Sequence, residues 1–196
     1  MRIVARAGLT TQILVEAGAA LADREGFEAV TPSALARQFG VQVASLYSHL
    51  SNAHDLKTRV ALLALDRLAD LAAEAVAGRA GKEALMALGH VHRDFARDHP
   101  GLFAATRYRL DDAVVAGSGG MRLSHLMRAV LRGYHLAEPG ETHAIRLLGS
   151  VFLGFATLEL DGGFSHSAPD AAESWAWSLE ALDAVLRSWP TKGPTP

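Results

Sequence analysis

The chain contains no cysteine among its 196 residues. Disulfide scaffolds, Cys-ligated zinc and thiol catalysis are therefore excluded. Aromatic residues are sparse at 7%, and neither sign of charge dominates, with Lys+Arg 19 against Asp+Glu 21. A net charge of −2 gives no global basic field of the kind that coats nucleic acid without regard to sequence. It leaves room for a small DNA-reading module inside a neutral chain. Long apolar runs are missing too. Met1-Arg2-Ile3-Val4-Ala5-Arg6 is followed by polar Thr10, Thr11 and Gln12 instead of the apolar core of a secretory signal. The strongest apolar stretch, Leu147 to Leu158, lies between Arg146 and Glu159 and falls short of the ~20 residues that span a bilayer. The expectation is a cytoplasmic protein with no membrane partner.

What is present is abundant Ala and Leu, punctuated by Gly and Pro, which favours helices. Thr10 can cap a first helix whose Ile13, Leu14, Ala17 and Leu21 follow the 3.6-residue period, and Gly26 can end it. Thr31-Pro32 is an N-cap followed by a proline at the first helical position; that short helix stops at Gly40. A second short helix spans Val43 to Leu50. Asn52 with Asp55 resembles a capping box opening a long helix through Leu56, Val60, Leu63, Leu65, Leu68 and Leu71, with a break marked by Gly78 and Gly81. Further helices are predicted over 82–99, 102–109, 121–136, 144–160 and 171–189. The Gly117–Gly120 run reads as a flexible break, and Pro190 to Pro196 as a disordered tail. The 144–160 helix is apolar nearly all round, which predicts burial on more than one side. No segment has a sustained strand period, so the fold class is all-α.

Thr31 to Leu50 carries the functional signal. A short capped helix, a Gly-permitted turn and a second short helix with Leu46 and Leu50 facing inward make the helix-turn-helix plan. The outward face of the second helix offers Gln42, Val43, Ser45, Ser48 and His49. Small side chains let a helix sit deep in a major groove ~12 Å wide, Ser and His can bond phosphates or base edges, and Val43 and Ala44 can touch a thymine methyl.

The run Val30-Thr31-Pro32-Ser33-Ala34-Leu35-Ala36, then Phe39-Gly40-Val41, then Ser45-Leu46-Tyr47-Ser48-His49-Leu50 with Asn52 and Leu56, resembles the DNA-binding domain of TetR-family regulators. Leu9-Thr10, Ala17, Leu21 and Gly26-Phe27 fall in the same register. The resemblance implies a homodimer that reads a palindromic operator, with one recognition helix per half-site. It assigns Thr31 to phosphate contact at the bracing helix, Tyr47 and His49 to backbone phosphates, and Val43, Ala44 and Ser45 to bases; Ser33, Gln42, Ser48 and Lys57 are further DNA-binding candidates. Two departures stand out. Ala53 replaces the family's usual Lys, and Gln42 replaces the usual Ser or Thr cap. His54 or Lys57 can stand in for the missing cation, and Arg2 and Arg6 can form a basic arm. Tyr47 also fits a half-buried core aromatic, and His49 an ordinary surface histidine.

The division expected is a DNA-binding domain over 6–66, a helical ligand-binding and dimerisation bundle over 67–190, and the tail 191–196. Leu147, Val151, Phe155 and Leu158 with Leu179, Leu182 and Leu186 are the expected dimer surface, two helices from each chain making a four-helix interface. Plain intrachain core is the alternative for most of them. Phe95, Phe103, Tyr108, Met121, His125, Phe152 and Trp177 are candidate walls of a mostly apolar pocket for a small hydrophobic or aromatic effector, with plain core the alternative that most of them fit better. No cofactor is implied, and no metal: His90 and His92 point apart on a helix, and His90 with Asp94 is only two ligands. GxSxG, HExxH and GxxxxGK[ST] are absent, so no enzyme is expected. A ligand-binding protein or helical enzyme whose N-terminal helices merely pack is the alternative function.

Overall fold

In the computed structural model, residues 8–136 and 138–190 are described. Arg2, Arg6 and the 191–196 tail, all singled out from the sequence, lie outside them. The Thr10 hydroxyl accepts the Ile13 N–H at 3.2 Å, satisfying one of the free donors that open a helix. Helix α1 (Thr11–Glu25) ends where Gly26 takes φ 88°. Helix α2 (Pro32–Phe39) starts with the Thr31 hydroxyl accepting the Ala34 N–H at 3.1 Å and ends at left-handed Gly40. Helix α3 (Val43–Leu46) is shorter than the sequence suggests. Beyond Leu46 the chain tightens, with the His49 N–H donating to the Leu46 carbonyl at 2.9 Å. Helix α4 (Ala53–Val76) opens with the Asp55 N–H donating to Asn52 Oδ1 at 2.9 Å. The returning bond of this box runs to the Ser51 N–H, one residue earlier than in the usual motif.

Helices α5 (Gly81–Asp98), α6 (Pro100–Ala105), α7 (Asp112–Val115), α8 (Gly119–Leu131), α9 (Gly140–Leu160) and α10 (Ala171–Arg187) follow, with no strand among the described residues. The chain forms two units. The first comprises residues up to Arg67 together with His99–Gly119; the second takes Leu68–Asp98 and the chain from Gly120 onward. The segment 67–190 thus lends residues 99–119 to the first unit.

In the first unit, Leu14, Leu35, Leu46, Leu56 and Leu102 are fully buried. Helix α6 lies hard against α1. A Cβ on Gly101 would stand 1.9 Å from the Ala22 carbonyl oxygen, so only glycine permits the approach. The Asp23 carboxylate accepts the Leu102 N–H at 2.9 Å and pairs with His99 Nδ1 at 2.8 Å, so a side chain of α1 caps α6. The Gly117–Gly120 run also has a structural duty: a Cβ on Gly119 would meet the Leu65 backbone at 2.3 Å. That close approach, not flexibility, explains this glycine.

The second unit is built on α5, α9 and α10. Leu85, Leu88, Leu148, Phe152, Trp175 and Leu179 form its centre. Gly89 leaves room for Leu179 and for the Trp175 ring. Helix α9 runs 21 residues, longer than its apolar stretch, because helical bonding continues through Thr142, His143 and Arg146. It is the one helix among the described residues long and apolar enough to cross a membrane. Within the chain it buries only the stripe Ala144, Leu148, Phe152 and Ala156, where burial on several sides is expected from the sequence. The opposite side is uncovered.

Candidate nucleic-acid interface

Leu46 and Leu50 are buried, at 0% and 2% exposure, and they anchor α3 as its spacing demands. Above them Gln42, Ala44, Ser45, Tyr47 and Ser48 are exposed, while Val43 and His49 are half-buried. Tyr47 is 52% exposed, so its ring is displayed rather than packed in the core. The Thr11 hydroxyl donates to the His49 carbonyl at 3.0 Å and ties the end of the recognition segment to α1. Ser48 donates its own hydroxyl to the Ser45 carbonyl at 2.8 Å, so it presents lone pairs only. Gln42 caps α3 without a side-chain bond, which leaves its amide available. Thr31, at the start of α2, uses its oxygen as an acceptor and keeps its O–H; Ser33 beside it is exposed.

The cations are disposed differently. Lys57 is engaged: its ammonium lies 2.6 Å from Glu28 and 5.2 Å from the Phe27 ring centroid, with 18% of the side chain exposed. His54 is also committed, with Nδ1 hydrogen-bonded to the Tyr108 hydroxyl at 2.8 Å and Nε2 3.7 Å from Asp111. Arg59 pairs with Asp55 at 2.7 Å. Burial pushes the Asp55 carboxyl up, but the Ser51 N–H and Arg59 outweigh it and hold the group below its ordinary value.

The pocket candidates are scattered. Phe103 and Tyr108 belong to the first unit; Phe95, Met121, His125, Phe152 and Trp177 belong to the second. Phe95 and Phe152 are core residues, His125 is exposed, and Trp177 is 70% exposed. Two hollows open on the second unit, and other residues line both. One, of about 590 Å³, includes Arg79, Lys82, Met86, His90 and Asp94; the other, of about 420 Å³, includes Glu159, Phe164 and Asp170. No group of three or more metal-ligating residues converges among the described residues. Of the expected dimer surface, Leu158 is exposed and Leu147, Val151 and Phe155 are half-buried, whereas Leu179, Leu182 and Leu186 are buried within the chain. They share the inward stripe of α10 with Trp175, and the outward stripe carries Trp177 and Val185 instead.

Sequence reasoning missed the charged interior of the second unit. Arg93 donates two hydrogen bonds to Glu159, at 2.7 and 2.6 Å. That pairing raises the Arg93 pKa against the opposing effect of burial. Arg93 and Glu159 stand 66 residues apart on different helices, so no local spacing could reveal them. His92, buried, has its pKa lowered by burial, opposed by its bond with the Leu88 carbonyl at 2.8 Å. Tyr134 donates to the buried Asp183 carboxylate at 2.7 Å, as does Arg187 at 2.8 Å. The Trp175 indole N–H is buried with no acceptor among the described residues.

Residues 85–182 match the model of the tetracyclin repressor-like C-terminal domain. The HTH-type transcriptional regulator Rv0681 of Mycobacterium tuberculosis is 32% identical over 176 residues, covering 87% of this chain and 80% of that protein. YobS of Bacillus subtilis, also an HTH-type transcriptional regulator, is 29% identical over 90% of this chain and 92% of its own length. The chain belongs to the TetR family. Among solved structures, apo ActR of Streptomyces coelicolor superposes with a TM-score of 0.70 at 21% identity, covering 94% of this chain and 97% of ActR. BioQ, crystallised with its double-stranded DNA operator, gives 0.69 at 21% identity over 92% of this chain and 99% of BioQ. ActR has also been crystallised with (S)-DNPA. These likenesses establish the shared all-α fold.

Proposed function

We infer that the protein is a ligand-responsive transcriptional repressor that binds a palindromic operator as a homodimer and releases it when a small molecule binds. The observation that carries this reading is the display of Ala44, Ser45 and Tyr47 above a buried Leu46–Leu50 anchor. Such a short, small-residue helix fits a major groove, where Val43 and Ala44 meet thymine methyls and Thr31, Tyr47 and His49 hold phosphates. Residues 6–66 do the reading, and 67–190 supply ligand binding and dimerisation. Operator-bound BioQ and (S)-DNPA-bound ActR support both halves by analogy of fold.

The dimer surface is the uncovered side of α9 and α10. Leu158, Trp177 and Val185 are 52%, 70% and 43% exposed, and a Cβ on Gly149 or Gly154 would meet nothing within 4 Å. A monomer seldom leaves so much apolar surface open, and a second copy of the same helix pair would cover it. The effector is a small hydrophobic or aromatic molecule. A DNA partner places the protein in the cytoplasm, and it needs no catalytic group.

Fluorescence anisotropy against duplex DNA flanking its own gene tests the reading. Binding that fails at low salt, where phosphate contacts are strongest, sinks it. His49→Ala should weaken binding to operator and random duplex alike; a changed base preference with unchanged affinity would refute the phosphate role.

A further inference from the structure

Position 53, where a family lysine would meet a phosphate, is alanine, and the nearest substitutes are occupied. Lys57 is held by Glu28, and His54 by Tyr108 and Asp111. A cation for that corner of the DNA surface must come from elsewhere in the unit.

We propose that Arg109, in the turn between α6 and α7, supplies that phosphate contact. Tyr108 is the link. Its hydroxyl lies 2.8 Å from His54 Nδ1 on the first turn of α4, and its ring packs edge-on against Phe27 at 5.5 Å between centroids. Phe27 opens the 3-10 turn Phe27–Ala29, which ends two residues before Thr31. The turn is therefore pinned to the first turn of α4, beside position 53, and to the 3-10 turn that precedes α2. On one side of Tyr108, Arg107 lies over the Phe103 ring at 5.7 Å. On the other, Arg109 is exposed, and no hydrogen bond or ion pair among the described residues engages it. A guanidinium on a long stem reaches several ångströms from its backbone and suits phosphate oxygens. Asp111 in the turn and Asp112 at the start of α7 offset the nearby positive charge, so the contact is one cation and not a basic patch.

This inference rests on the DNA-binding reading. The test is anisotropy of the full chain on a duplex from its own upstream region and on a random duplex, each from 50 to 300 mM KCl. Wild type, Arg109→Ala and Arg109→Lys are compared. One phosphate contact contributes about 0.9 to the slope of log K against log salt. Arg109→Ala should flatten the slope by roughly that amount per recognition helix and weaken both duplexes by a similar factor. Arg109→Lys should keep the wild-type slope, because it keeps the charge. Tyr108→Phe, which frees the turn from His54, should lie between wild type and Arg109→Ala. An unchanged slope in Arg109→Ala, or a loss confined to one duplex, overturns the proposal. Failure of the wild type to bind any duplex refutes the DNA-binding reading itself and this inference with it.

Discussion

Glu159→Gln removes one charge from the Arg93–Glu159 pair while leaving the side-chain volume unchanged. Only 10% of the Arg93 side chain and 17% of the Glu159 side chain are exposed, so water cannot readily take the place of the lost carboxylate. Two charge-assisted bonds are at stake, and the glutamine amide can replace one acceptor at most. Its NH₂ group meets guanidinium N–H groups head on. Removing one member of a buried ion pair typically costs about 3–5 kcal/mol. The fields of Asp94 and Asp170 still favour the Arg93 charge, which puts the expectation near the lower end, at about 3 kcal/mol. For a chain of this size, each kcal/mol moves Tm by roughly 2–4 °C, so melting should fall by roughly 6–12 °C. Thermal scans at one fixed protein concentration are needed, because dimerisation would make Tm depend on it. The double variant Arg93→Met/Glu159→Leu should recover most of the loss, ending within about 1 kcal/mol of wild type, since the penalty comes from the orphaned charge. A Glu159→Gln loss below 1 kcal/mol, or a double variant as unstable as the single, would refute this account.

Other outcomes follow from the same structure. Burial disfavours the charged form of His92, so its folded pKa lies below the unfolded value near 6.5. The stability it contributes is present above that pH and is lost as pH falls toward the folded value. Denaturant midpoints at pH 7.5 and 5.5 should differ in wild type and converge in His92→Leu; equal slopes in both proteins would contradict it. Asp183 is pushed up by burial but held lower by Arg187 and Tyr134, so its share of stability persists above the unfolded pKa near 3.9 and disappears in acid below it. Asp183→Asn should flatten the acid limb below about pH 4 in circular-dichroism titrations. Gly101→Ala brings a Cβ against the Ala22 backbone and should speed amide exchange across α6, with a loss of about 1–3 kcal/mol. Wild-type protection in that variant would mean that α6 is not held as described. Trp177→Asp on the uncovered face of α10 should yield monomers by sedimentation while helicity stays intact. An undisturbed dimer would move the interface elsewhere.

The helices were legible where their signals were local. Thr10, Gly26, Thr31, Pro32 and Gly40 mark ends with their own side chains or backbone freedom, and α1 and α2 begin and stop where those residues stand. Leu46 and Leu50 likewise announced which side of α3 is buried. Long-range partners carried no such signal. Asp23 looks like a surface residue until α6 arrives 79 positions later to be capped by it. Lys57 reads as a free cation in sequence because its captor, Glu28, lies 29 residues upstream. The two stripes of α10 look alike in sequence for a related reason: both are apolar, and only packing against Gly89 on α5 decides that Leu179 turns inward while Trp177 turns out.

The first unit is discontinuous along the chain, since it is finished only by residues 99–119. A ribosome must release α5 before the helix that rests on Ala22 and Asp23 exists, so the N-terminal helices wait for their last wall. The same discontinuity governs protein engineering. A chimaera that borrows its operator specificity by splicing a relative's first 67 residues onto this body would bring in a foreign α1 beneath a native α6. Faithful transplantation would have to move both stretches, cutting the gene in three places.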